Sequence, residues 1–220
     1  MVKENILSIV NALPGHVKLV AVSKTHPPEA IMDAYHTGQR IFGENRVQEL
    51  ISKQPVLPAD IEWHLIGHLQ TNKVRVIAPF ISMIHSVDSL KLLVEINKEA
   101  LKNNRTIDCL LQIYIATEDT KFGMDEPELM TLLNHKDFAN LKNIRICGLM
   151  GIATYTEDSN RVRDEFRRLT KLFRLLRETH FSNDPFFKEI SMGMTHDYQI
   201  AIEEGSTMVR IGTAIFGERS

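Results

Sequence analysis

The sequence predicts an α/β fold, a single (β/α)8 TIM barrel over residues 1–220. Short apolar runs alternate with amphipathic segments from one end to the other, the pattern of strands and helices around a parallel sheet. Eight such runs occur, and no internal repeat, low-complexity tract or long linker divides them. A chain of 220 residues also suits this architecture and buries a core without a staple of disulfide or metal. A doubly wound open sheet shares the alternation, and strand count does not separate the two.

The N-terminal stretch MVKENILSIVNALPG mixes Lys3, Glu4 and Asn5 with a short apolar stripe and reads as a helix. The first strand, Lys18 to Ser23, leads through VKLVAVSKTHPP to a helix at Pro28 to His36, where proline at the helix start loses no intrahelical bond. Strands follow at Arg40 to Gly43, Trp63 to Gly67 and Met83 to Ser86, with helices at Asn45 to Lys53, Asn72 to Ala78 and Ser89 to Asn103. The remaining strands are Asp108 to Ile115, Ile146 to Ala153, Glu189 to Met192 and Met208 to Ile211; the helices between them are Glu126 to His135, Asn160 to Thr179 and Asp197 to Glu204. The helix from Asn160 is the clearest, because Val162, Phe166, Leu169, Phe173 and Leu176 recur at steps of three and four. Gly205 suits the left-handed residue beyond the last of these helices.

Composition bounds the function. Lys and Arg number 26 against 28 Asp and Glu, a net charge of -2, so no global field favours nucleic acid or an anionic membrane. The helix from Asn160 carries Arg161, Arg163, Arg167, Arg168, Arg174 and Arg177, but Asp164, Glu165 and Glu178 interrupt them without an aromatic platform, so the face reads as solvated. Cys109 and Cys147 each sit in an apolar run and read as buried free thiols of a reducing compartment. With no signal-peptide pattern and no run near the ~18 apolar residues of a membrane span, the expected location is cytoplasmic.

In a (β/α)8 barrel, reactive groups gather where strands end. Lys24 stands at such an end. Held among apolar residues, its charged form is disfavoured, which raises the share of nucleophilic free amine; taken alone, the strand fits better a lysine that snorkels to water. FGEN brings Asn45 to the same mouth. His64 and His68 in WHLIGHLQTNK lie four residues apart, ~13 Å along a strand, too far to share an ion bound at about 2.3 Å or less; no metal is expected. SMGMTHD and RIGTAIFG follow the seventh and eighth strands, where (β/α)8 barrels commonly build a phosphate site from glycine backbone and a helix N-terminus. Gly193, Gly212 and Thr213 supply those groups, while Glu218 and Arg219 stand where a P-loop requires Lys and Ser or Thr. A lysine amine and a phosphate cradle at one mouth fit a cofactor carrying both an aldehyde and a phosphate, pyridoxal 5'-phosphate (PLP). Arg210 is then the candidate partner of the pyridine nitrogen. Its guanidinium only donates hydrogen bonds, so that nitrogen would accept and stay unprotonated. An ion pair with Glu203 or Glu204 is the other use for Arg210.

The motifs VAVSKTHP, FGENRVQE, WHLIGHLQTNK, IHSVDS, GLMGIA, SMGMTHD and RIGTAIFG, in that order, resemble the pyridoxal phosphate homeostasis protein family, whose barrel is similar to that of alanine racemase. The resemblance implies the PLP fold type III barrel with PLP held as a Schiff base on Lys24, Asn45 near the ring, phosphate contacts from Ser191, Met192, Gly193, Gly212 and Thr213, and Arg210 at the pyridine nitrogen. It implies a protein of intracellular PLP homeostasis that buffers the cofactor or delivers it to PLP-dependent apoenzymes, with no catalytic residues. Arg46 stands where the family more often has an aromatic residue, and KFGM at Lys121 to Met124 also departs from its wording. A PLP-dependent amino-acid racemase is the alternative; it needs a second base, and the family's tyrosine for that purpose lies in an appended domain for which this sequence shows no counterpart. A monomer is expected, with a weak dimer left open.

Overall fold

Leu19, Val20, Ala21 and Val22 are apolar on both sides of an extended chain, so the segment is shielded only when both faces are covered. In the computed structural model they form the buried part of β1 (Lys18–Val22). The structure describes residues 1–116 and 123–218. Seven more strands follow: β2 (Ile41–Glu44), β3 (Glu62–Leu65), β4 (Met83–Val87), β5 (Ile107–Ile113), β6 (Ile144–Gly151), β7 (Glu189–Ser191) and β8 (Met208–Ile211). Each pairs in parallel with the next, and β8 pairs with β1 through Lys18↔Met208 to Ala21↔Ile211, closing the (β/α)8 barrel.

The described helices are α1 (Val2–Ala12), α2 (Pro28–Tyr35), α3 (Val47–Lys53), α4 (Val74–Ile77), α5 (Leu90–Lys102), α6 (Glu126–Leu133), α7 (Ser159–Thr179), α8 (Tyr198–Glu203) and α9 (Thr213–Phe216). The boundaries lie within about two residues of those expected, with two differences. Arg46 is extended, so α3 begins at Val47 and leaves Asn45 in the loop. The segment from Asn72 is a tight 3-10 turn, Thr71–Lys73, running into the single turn of α4. Four-residue α9 was not expected, since one turn is too short to show a period. Lys121 and Phe122 of the KFGM motif, and Arg219, lie outside the described residues.

Side chains two apart on a strand share a face, which sorts the core into two shells. Leu19, Ala21, Phe42, Leu65, Ile84 and Cys109 face outward into the layer beneath the helices, together with Phe166, Leu169, Phe173 and Leu176 of α7. Val20, Met83, Leu110, Cys147, Met150 and Met208 fill the barrel interior. The two cysteines therefore lie in different shells, and both are free and buried. The arginines of α7 are less solvated than the sequence implied: Arg163 and Arg167 bind Glu204, and Arg163 also binds Glu203. This removes both glutamates as partners for Arg210.

Gly148, at a register shift between β5 and β6, has φ +150°, and an added Cβ would overlap the carbonyl oxygen of Glu189 on β7. Gly148→Ala is expected to part β6 from β7 and lower stability by about 3 kcal/mol. Urea unfolding measures this, and an unchanged midpoint would show that the strands can separate freely at that point.

Candidate functional site

Closure of the barrel brings the end of β1 beside the end of β8. A cavity of about 340 Å³ opens there. Its wall includes Lys24 from the β1–α2 loop, Asn45 from the β2–α3 loop, Arg210 of β8, and Gly212 and Thr213 at the start of α9. Five expected site residues thus share one cavity. Ser191, Met192 and Gly193 are buried and are not part of the wall. The Gly193 carbonyl accepts the Arg210 backbone N–H at 2.9 Å, so this loop shapes the wall from behind.

Sequence reasoning missed several wall residues: His26, Tyr155, Thr195 and His196. Thr195 and His196 lie within SMGMTHD, two and three residues beyond Gly193, where the chain has turned toward the opening. Tyr155 and His196 meet edge to face with centroids 6.0 Å apart, and His26 stacks on Phe216 of α9 at 5.0 Å. The wall carries the cationic groups Lys24 and Arg210 and no carboxylate among the described residues. A second depression, about 490 Å³ between α3, α4 and α5, has the opposite character: its Lys98 and Lys102 pair with its own Glu95 and Glu99.

Lys24 is rooted by its neighbours. Lys53 of α3 donates to the Ser23 carbonyl at 2.9 Å, and the Thr25 N–H donates to Glu49 of α3 at 2.6 Å. Thr25 has φ +67°, a left-handed conformation that costs a β-branched residue about 1–3 kcal/mol and is kept only where the surroundings fix it. Under the loop, Glu44 Oε1 accepts from the Ser23 hydroxyl at 2.7 Å and from Lys53 at 2.8 Å. Its Oε2 is buried without a hydrogen-bond partner among the described residues. Burial pushes the Glu44 carboxyl up to about 7 against the opposing pull of Lys53 and Ser23. On the other side of Lys24's mouth, Gly67 leaves no room for a Cβ against the Asn45 backbone, so a glycine there sets where Asn45 lies.

Arg210 is almost wholly buried. Its Nη1 donates to Ser191 Oγ at 2.6 Å and its Nη2 to the Gly151 carbonyl at 3.0 Å. Burial lowers its pKa to about 10, with Asp197 acting the other way, so it stays a cation at neutral pH. His64 and His68 diverge: His64 Nδ1 meets His85 Nε2 at 2.9 Å inside the barrel, while His68 lies at the surface 3.6 Å from Asp88.

Lys24, the buried Arg210 and the glycine-flanked backbone at Gly212 and Thr213 meet at one opening, on the strand-end side of a closed (β/α)8 barrel. The chain belongs to the alanine racemase N-terminal domain family, whose model matches residues 1–220, and within it to the pyridoxal phosphate homeostasis proteins. It is 44% identical over 203 residues to the pyridoxal phosphate homeostasis protein of Aquifex aeolicus, covering 92% of this chain and 87% of that one. The mouse protein of the same name is 41% identical over 213 residues, covering 92% and 77%. PipY of Synechococcus elongatus with PLP bound superposes with a TM-score of 0.89 at 37% identity, covering 99% and 100%. Clostridium difficile alanine racemase, 15% identical with a TM-score of 0.75 over 99% of this chain and 55% of that one, shares the fold. No helix among the described residues is long and apolar enough to cross a membrane.

Glu44 gives the site a pH signature. A carboxyl whose pKa is higher folded than unfolded holds its proton more tightly when folded, so its contribution to stability falls as pH rises from about 4.5 to about 7 and is level beyond. Relative to Glu44→Gln, the protein should lose about 3 kcal/mol across that window. Urea unfolding from pH 4 to 8 reads the difference; a flat one would mean that Glu44 ionises as it does in water.

Proposed function

We propose that this chain binds PLP in the cavity at the strand ends and serves in intracellular PLP homeostasis, as a cytoplasmic protein that buffers the cofactor or delivers it to PLP-dependent apoenzymes without turning over a substrate. The observation that carries this reading is the wall itself, where an amine and a buried guanidinium face one space with no described carboxylate. That donor set fits PLP: an amine for the aldehyde, a donor-only group for the ring nitrogen, and backbone for the phosphate. PLP supplies, when bound, an aldehyde that condenses with a primary amine and a ring that withdraws electrons.

Each residue then has a separate task. Lys24 holds the cofactor covalently through Nζ. Arg210 donates toward the ring nitrogen and keeps a proton off it, which makes the ring a weaker electron sink and suits storage better than turnover. The first intrahelical bond of α9 runs from the Ile215 N–H to the Gly212 carbonyl, so the Thr213 and Ala214 N–H groups precede the helical ladder, where a phosphate is favoured. Thr213 and Thr195 add hydroxyls there, Asn45 lies by the ring, and Ser191, Met192 and Gly193 set the course of the loop behind. The racemase alternative draws on Tyr155 and His196, which bring further proton-exchanging groups to the wall.

The protein mixed with PLP is expected to gain visible absorption, and borohydride should then fix the cofactor's mass on the peptide containing Lys24, with none in Lys24→Ala. An adduct elsewhere, or none, overturns the assignment. Arg210→Glu should change the visible spectrum by allowing the ring nitrogen to be protonated, and an unchanged spectrum would place Arg210 away from the ring. Racemisation of an amino acid by the pure protein, lost in Lys24→Ala and in Tyr155→Phe, would favour the enzyme over the carrier.

A further inference from the structure

A polar seam runs through the barrel interior. His64 on β3 is two residues before Ile66, His85 on β4 is two after Met83, and Arg210 on β8 is two after Met208, so each shares the inward face of an apolar neighbour. Ser191 on β7 joins them. The four residues, from strands on two sides of the ring, are at most 4% exposed. They are linked end to end: Arg210 Nη1 to Ser191 Oγ at 2.6 Å, Ser191 Oγ to His85 Nδ1 at 3.0 Å, and His85 Nε2 to His64 Nδ1 at 2.9 Å.

The first link sets the direction of the rest. A guanidinium only donates, so the Ser191 oxygen accepts from Arg210. The serine has one proton, and among the described residues His85 Nδ1 is its remaining partner. His85 then carries its own proton on Nε2 and donates it to His64 Nδ1, which leaves the His64 proton on Nε2. Both rings are neutral: burial lowers their pKa values, and the charges acting on them, Lys18 on His64 and Arg210 on His85, are positive.

We propose that Ser191, His85 and His64 form a directed hydrogen-bond chain that positions the Arg210 guanidinium, so that three buried residues outside the cavity wall govern how Arg210 meets its ligand. With Nη1 and Nη2 held by neutral oxygens and no carboxylate among the described residues bonded to it, Arg210 keeps its charge and its remaining N–H groups for the cavity. If the chain ran the other way, the Ser191 proton would have to leave His85 and find another acceptor. The inference rests on the PLP reading for its functional consequence and not for the direction of the chain.

Two measurements test it. In the full-length protein without cofactor, long-range proton–nitrogen correlation of nitrogen-15-labelled histidine is expected to show His64 and His85 neutral at pH 7 with the proton on Nε2; a proton on Nδ1 of either ring, or on both nitrogens, overturns the direction. In the protein titrated with PLP, Ser191→Ala should weaken binding about tenfold, the worth of one hydrogen bond to a charged group. It should also shift the visible band in the same direction as Arg210→Lys. His85→Leu should do the same, whereas His85→Asn, whose amide oxygen can accept at the Nδ1 position, should restore the band. A wild-type spectrum and affinity in Ser191→Ala would refute the positioning role. If the wild-type protein takes up no PLP, the earlier reading fails; the tautomers, and the broadening of the Arg210 guanidinium resonances in Ser191→Ala, then decide this one.

Discussion

Everything at the candidate site depends on the pairing of the first strand with the last. Lys18 to Ala21 lie beside Met208 to Ile211, and that register carries the residues just beyond, Lys24 on one strand and Gly212 and Thr213 on the other, to one opening. Nearly the whole chain lies between them in sequence. Lys24 and the Gly212–Thr213 backbone are therefore brought together only when the ring has closed, and a partly formed sheet would hold neither beside the other.

Two supports act on that opening from different directions. From outside the barrel, α3 grips the backbone on both sides of Lys24 through Lys53 and Glu49, with Glu44 beneath. From inside, the polar seam holds Arg210. The outer support has an unpartnered buried oxygen and a carboxyl poised near neutrality, while the inner one is made of neutral groups around a single cation. Buried polar groups of either kind are tolerated only because nearly every donor and acceptor is matched.

The strands were legible because each alternates or repeats apolar residues over a length that periodicity can detect, and Met208 to Ile211 coincides with β8. The closing of the sheet was only half legible: strand count fits an open sheet too, and the β1–β8 register is a long-range fact. At the site, Lys24, Asn45, Arg210, Gly212 and Thr213 were found because they stand at strand ends. Ser191 stands there too, but its hydroxyl turns inward to Arg210 and His85, which strand position alone does not reveal. The His64–His85 contact joins residues on neighbouring strands whose meeting depends on register. Had the i, i+2 relation to Ile66 and Met83 been followed, both imidazoles would have been placed inside the barrel. Glu44 could have been placed in the same way, two residues after Phe42 on the outward face, yet nothing local indicates that Lys53 will lie above it.

The grip of α3 on Ser23 and Thr25 has a kinetic meaning. A lysine amine sits on four rotatable bonds, and when its backbone also moves it is shared between the cavity and bulk water. With the backbone fixed on both sides, the root of the side chain stays beside the cavity that Lys24 lines. The strained loop thus works as a tether does: it limits how far the backbone can carry the Lys24 side chain from the cavity it lines.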